Sequence, residues 1–183
     1  MHTSFSSKVK LGILGGGQLG RMFIQEAINY NIGVHILDPD PNAPCNTIAE
    51  SFTVGNFNDY QTVLDFGRPM DIISIEIEHV NVDALEELEK EGKKVYPSPA
   101  LLRMVQDKGL QKLFYQKHQI PTAPFHLIDN KAEIRSYNSS FPFMQKLRKG
   151  GYDGRGVCKL DNPEKLDKAF DAPSVLESLI DFD

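Results

Sequence analysis

An apolar run, Val9-Lys10-Leu11-Gly12-Ile13-Leu14, passes directly into Gly15-Gly16-Gly17-Gln18-Leu19-Gly20. This junction restricts the fold more than any other stretch of the chain. A buried strand, a glycine turn and then helical spacing of Met22, Phe23, Ala27 and Ile28 make a β-α unit. The glycines allow a tight turn and close contact between helix and strand. Val34-His35-Ile36-Leu37-Asp38 reads as the second strand and Ser51-Phe52-Thr53-Val54 as a short third. A helix is predicted over 58–66, with Asn56 or Asn58 as its cap. A β-branched fourth strand covers 71–78. A helix with an acidic, solvated face follows over 82–91, and Lys94-Val95-Tyr96 is the fifth strand. Strands alternating with helices imply an α/β, Rossmann-like domain whose parallel sheet is covered on both faces.

Pro97-Ser98-Pro99 marks a boundary, so domains of 1–97 and 98–183 are expected. Beyond it lie helical segments at 100–104 and 108–118 and an extended Ile120-Pro121-Thr122-Ala123-Pro124. The strand Phe125-His126-Leu127-Ile128 and a short helix over 131–137 follow. Next come a strand through Phe143-Met144 and a glycine loop, Lys146-Leu147-Arg148-Lys149-Gly150-Gly151-Tyr152-Asp153-Gly154-Arg155-Gly156. The strand Val157-Cys158-Lys159-Leu160 receives it. A last helix is predicted from Pro163 to Phe170, then a strand over 174–180. Glycines let backbone N–H groups approach an anion, and Lys and Arg supply counter-charge, so this loop is a candidate phosphate cradle. An ordinary exposed hairpin loop is the alternative.

Several classes drop out. Net charge is −5 with no basic block, which argues against duplex nucleic acid as a partner. Cys45 and Cys158 lie far apart and outside any Cys-x-x-Cys motif, so reduced thiols are expected rather than zinc or a disulfide. The first seven residues lack an apolar core and no run reaches the length of a membrane span, so a cytoplasmic protein is expected. Gly15, Gly17 and Gly20 fit G-x-G-x-x-G, with Asp38 ending the next strand, a pattern that can bind a dinucleotide or simply make a tight turn. Glu76 and Glu78 share one face of an extended chain at a strand's C-terminal end, where open α/β sheets place ligands. His79 beside them reads as a strand-end hydrogen-bonder.

Together these segments resemble the ATP-grasp enzymes, and more closely the 5-(carboxyamino)imidazole ribonucleotide synthetase family of purine biosynthesis. The residues that carry the likeness are Gly15-Gly16-Gly17-Gln18-Leu19-Gly20-Arg21-Met22, Asp107-Lys108, Ile120-Pro121-Thr122-Ala123-Pro124, Glu76-Ile77-Glu78-His79-Val80, Gly150 through Gly156 and Glu177-Ser178-Leu179-Ile180. The resemblance implies a pre-ATP-grasp domain followed by an incomplete α+β ATP-grasp domain. It also implies a carbon–nitrogen ligase that uses ATP and Mg²⁺ to carboxylate 5-aminoimidazole ribonucleotide with bicarbonate, through carboxyphosphate. By the same resemblance Arg103 and Lys146 would bind nucleotide, and Gly151, Tyr152, Asp153, Gly154, Arg155, Gly156 and Val157 would cover the phosphates. Glu177, Ser178, Leu179 and Ile180 would hold adenine, with Glu177 on its amine. Arg155 would steady bicarbonate or carboxyphosphate, and Tyr152 and Asp153 would serve the acceptor. Gln18, Leu19 and Glu76 would bind the ribonucleotide, leaving Asp38 a turn residue.

Family members are longer than this chain. It is therefore expected to be an N-terminal portion, with the metal ligands elsewhere, a homodimer at full length and inactivity alone. Three other readings remain open: a formate-dependent glycinamide ribonucleotide transformylase type of ligase, a nicotinamide-dependent oxidoreductase, and a non-catalytic binding module.

Overall fold

The computed structural model describes residues 9–151, 154–164 and 166–180, without the side chains of Asn138 and Ser139. Tyr152 and Asp153, both assigned to the site by resemblance, lie outside the described residues. The chain divides into two compact units, Met1–Arg103 and Met104–Asp183.

The first unit is a parallel sheet in the order β3-β2-β1-β4-β5. Its strands are β1 (Leu11–Leu14), β2 (Val34–Asp38), β3 (Ser51–Val54), β4 (Ile72–Ile75) and β5 (Lys94–Tyr96). The helices α1 (Gln18–Asn29), α2 (Tyr60–Gly67), α3 (Val82–Lys90) and α4 (Pro99–Val105) accompany them, the division between units falling within α4. Successive strand residues point to opposite faces. Ile13 and Ile36 therefore pack with Ile24 and Ala27 of α1, while Leu14 and Leu37 pack with Val63, Leu64, Leu85 and Leu88 of α2 and α3. The expected double-covered parallel sheet is what forms.

Two details differ from the sequence reading. Asp59, not Asn56 or Asn58, caps α2, its Oδ1 accepting from the Thr62 amide at 2.8 Å. Asn56 instead closes a local turn onto the Asn58 amide at 2.9 Å. β4 stops at Ile75, and 76–78 bend away rather than extending the strand, so Glu76 and Glu78 do not line a common strand face.

The second unit is antiparallel, in the order β6-β9-β7-β8. It comprises α5 (Lys108–Lys117), β6 (Phe125–Ile128), a 3-10 helix (Lys131–Ser140), β7 (Phe143–Leu147), β8 (Val157–Leu160) and β9 (Ser174–Ser178). The pleat sorts its residues. Ile128, Phe143, Leu160 and Leu176 bury against Ile134, Leu166 and Ala169. The register sets Phe125, Met144 and Glu177 side by side on the other face, with Lys146 and Val175 next to them.

The helix predicted over 163–170 does not form; the described residues there are turns. Gln145 explains this. Its side chain is fully buried, donates to the Phe170 carbonyl at 2.9 Å and accepts from the Phe170 amide at 2.9 Å. The Phe170 amide, which a helix would pair with the Leu166 carbonyl, is thereby committed to Gln145.

Candidate functional site

In the first unit the glycine turn is built around two carboxylates. Asp38 is buried, and its Oδ2 accepts from the Gly16 amide at 2.7 Å while Oδ1 accepts from the Asp40 amide at 2.8 Å. Each oxygen thus accepts from a backbone amide, which suits the turn role. Glu76 leaves the end of β4 with its amide on the Leu14 carbonyl at 2.8 Å, and its carboxylate lies over the turn. A Cβ on Gly17 would stand 2.6 Å from Glu76 Oε1, and one on Gly15 would stand 2.9 Å from Oε2. Gly15 also has φ +99°, which disfavours any side chain.

Gln18 and Leu19 are exposed at the start of α1, where Gly17 supplies no capping side chain. The first-turn amides of α1 are therefore available to an anion. Gln18, Leu19 and Glu76 form one locality. Glu78 is outside it, exposed and 3.5 Å from His79. Cys45 sits beneath the turn; burial and the Glu76 and Asp38 carboxylates push its thiol above the usual range, with Arg21 acting the other way. A thiol held protonated in this way is a poor nucleophile.

Arg103, at the end of the first unit, is held by two carboxylates. Its Nε donates to Glu86 at 2.7 Å and its Nη2 to Asp83 at 2.5 Å, both on α3. These bonds hold its guanidinium protonated above the ordinary arginine range and depress Glu86.

The second unit brings its own cluster together. Lys146 and Glu177 are diagonal neighbours on one face of β7 and β9, with Nζ 2.7 Å from Oε2. Lys112 of α5 approaches the other oxygen, Oε1, at 3.1 Å. The same ammonium donates to Thr122 Oγ1 and lies 5.8 Å above the Phe125 ring. Lys108, one helical turn before Lys112, donates to the Gly151 carbonyl at 3.1 Å.

The loop that follows is pinched at its base. The Leu147 amide donates to the Gly156 carbonyl at 2.8 Å, and a Cβ on Gly151 would meet the Arg155 carbonyl oxygen at 2.8 Å. Gly154 and Gly156 both take positive φ, and Val157 begins β8 opposite Lys146. On β9 the Ser178 amide donates to the Pro124 carbonyl at 2.9 Å. The Leu179 and Ile180 side chains are exposed. The cluster can therefore present a carboxylate, ammonium groups and an apolar edge to one ligand. Among the described residues no group of three or more His, Cys, Asp or Glu could hold a metal ion.

The family described as ribonucleotide synthetase preATP-grasp domain matches residues 8–106, and the ATP-grasp domain family matches 113–183. The chain belongs to the ATP-grasp ribonucleotide synthetase family. Among curated ATP-grasp relatives, the chloroplastic phosphoribosylaminoimidazole carboxylase of Vigna aconitifolia is 39% identical over 90% of this chain and 30% of its own length. N5-carboxyaminoimidazole ribonucleotide synthase of Staphylococcus haemolyticus is 31% identical over 91% of this chain and 45% of its own. A crystal structure of N5-carboxyaminoimidazole synthase from Aspergillus clavatus, in complex with ADP and 5-aminoimidazole ribonucleotide, superposes with a TM-score of 0.82. It is 33% identical, over 95% of this chain and 47% of that one. The chain thus spans about half the length of the solved ATP-grasp structures it matches.

Sequence reading marked neither Lys112 nor the Asp107–Arg148 pairing of this ATP-grasp unit, and Asp107 and Thr122, though in segments that carry the likeness, had no individual role. Lys112 sits on a helix face that patterning alone takes for a solvated one. Only its placement one turn beyond Lys108 hinted otherwise.

Proposed function

We propose that the protein to which this chain belongs carboxylates 5-aminoimidazole ribonucleotide with bicarbonate at the expense of ATP, releasing ADP and phosphate. The observation that carries the reading is the fit of both units to the Aspergillus clavatus enzyme, which holds ADP and 5-aminoimidazole ribonucleotide. Bicarbonate is a poor electrophile. Transfer of the γ-phosphoryl group to one of its oxygens gives carboxyphosphate and ADP. The aminoimidazole amine then attacks the carboxyl carbon, the C–O bond to phosphate breaks, and the amine loses a proton to yield the carbamate.

Lys146 and Lys108 supply positive charge for the polyphosphate, and the 151–157 loop covers it and excludes water from the hydrolysable intermediate. Arg155 steadies the bicarbonate or carboxyphosphate, and Tyr152 and Asp153 serve the acceptor amine. Glu177 through Ile180 take the adenine. Gln18, Leu19, Glu76 and the open N-terminus of α1 receive the ribonucleotide and its phosphate. Mg²⁺ accompanies the nucleotide, but no cluster among the described residues fits it, so no step is assigned to it. A homodimer in the cytoplasm is the expected setting.

The test is ADP release by the full protein with labelled bicarbonate and 5-aminoimidazole ribonucleotide, alongside formate with glycinamide ribonucleotide. Bicarbonate-dependent turnover that incorporates label is the expected result. Formate-dependent turnover, or none with bicarbonate, would overturn the reading.

A further inference from the structure

Two ammonium groups share one carboxylate in the second unit, and they are not equivalent. Lys112 is nearly buried, its side chain 11% exposed, and it is held from three sides by Glu177 Oε1, Thr122 Oγ1 and the face of Phe125. Lys146 is 32% exposed, and Glu177 Oε2 at 2.7 Å is the partner the structure gives it. Glu177 itself is only 12% exposed. A carboxylate this buried is costly to leave unpaired.

We propose that Lys112 is the resident counter-ion of Glu177, and that its presence lets Lys146 leave that carboxylate for a polyphosphate. The proposal rests on the nucleotide reading of the same site. When Lys146 turns to an anionic ligand, Glu177 keeps one ammonium, and the departure strands no charge. Without Lys112, the single carboxylate would hold Lys146 more tightly and face the incoming phosphates with no compensating charge. Lys112 is thus a positioning residue: it touches no phosphate and acts through Glu177. The argument concerns charge balance, so the effect must grow with ligand charge and must vanish when Glu177 is neutral.

Calorimetry on the full protein with ATP and with adenosine tests this in a double-mutant cycle. Lys112→Met is expected to weaken ATP by about tenfold, within the range of coupled neighbours, and to leave adenosine within about threefold. In the Glu177→Gln background the same change should cost ATP less than about threefold. Lys112→Arg should restore most of the affinity. Thermal melting checks that each variant folds; if Lys112→Met does not, Lys112→Gln, which keeps a donor for Thr122, carries the same comparison. An equal ATP loss in both Glu177 backgrounds, or an equal loss of ATP and adenosine, overturns the inference while the nucleotide reading stands. A parent protein that binds no ATP overturns both.

Discussion

Arg148 closes on Asp107 with both arms: Nε reaches Oδ1 at 2.9 Å and Nη2 reaches Oδ2 at 2.7 Å. Asp107 is also the cap of α5, its Oδ1 accepting from the Gly109 amide at 2.8 Å and the Leu110 amide at 3.2 Å. The Lys108 amide completes the clasp on the Arg148 carbonyl at 2.9 Å. A residue just past the end of β7 is thereby fastened to the first turn of the helix that carries Lys108 and Lys112. Gly109 lies beneath the clasp, where a Cβ would stand 2.6 Å from Arg148 Nε.

Asp107→Asn keeps the shape of this clasp and removes its charge, leaving the partly buried Arg148 without its bonded counter-ion and with only the more distant Asp129 carboxylate acting on it. Breaking such a pair from one side costs about 3 kcal/mol. Urea denaturation should show that loss. Arg148→Lys should lose part of it, because an ammonium cannot reproduce the fork. Wild-type stability in either variant would mean that the pair carries no net weight.

The same pair sets an acid limit. Burial pushes the Asp107 carboxyl up, but the Arg148 guanidinium and the Leu110 and Gly109 amides outweigh it and hold it below the usual range. A carboxyl depressed in the folded state contributes stability that is complete above its unfolded pKa of about 3.9. That stability drains away as pH falls through the lower folded value. Denaturation midpoints measured from pH 6 downward should therefore converge for wild type and Asp107→Asn below about pH 4. A constant gap across the range would refute the assignment.

Arg103 offers a sharp contrast. The resemblance assigns it to the nucleotide, whereas its guanidinium is bound to Asp83 and Glu86 on an exposed surface of the first unit. Exposed pairs of this kind are weak. Arg103→Ala should leave ATP affinity within about threefold, while Lys108→Ala, beside the glycine loop, should reduce it about tenfold or more. ATP titration of the two variants decides between the two cations. A large loss for Arg103→Ala alone would instead support the nucleotide role that the resemblance implies.

What could be read from the sequence follows the range of the interactions involved. The parallel sheet was legible because Ile13 and Leu14, or Ile36 and Leu37, declare two buried faces by simple adjacency. The glycine turn was legible because Gly15 needs its φ whatever surrounds it. The predicted helix over 163–170 failed because its local pattern is overruled from a distance, by a buried glutamine 25 positions before Phe170. Lys112 was invisible for a related reason: nothing near it in the chain announces that Glu177 will arrive across the sheet. Local chemistry is written in neighbouring residues, whereas a counter-ion across a sheet is written only in the register.

Gly15 and Gly17 separate a backbone need from a site need within one turn. Gly15 sits at φ +99°, so Gly15→Ala is strained whatever happens to Glu76 and should cost about 1–2 kcal/mol. Gly17 has φ −72° at the N-cap of α1, a conformation alanine accepts, and its stability loss should stay below about 1 kcal/mol. Its added Cβ would nonetheless fall 2.6 Å from Glu76 Oε1, and the atom that must yield is the far end of a flexible side chain. The Glu76 carboxylate would swing away while the fold persisted. Gly17→Ala in the full protein should therefore lose affinity for 5-aminoimidazole ribonucleotide by about tenfold. Glu76→Ala should lose as much, and the double variant little more, because both changes remove the same contact. Calorimetry with the ribonucleotide and urea melts on the same samples test this together. An affinity loss that merely tracks stability across Gly15→Ala and Gly17→Ala would show that the turn shapes the fold and that Glu76 does not hold the ligand.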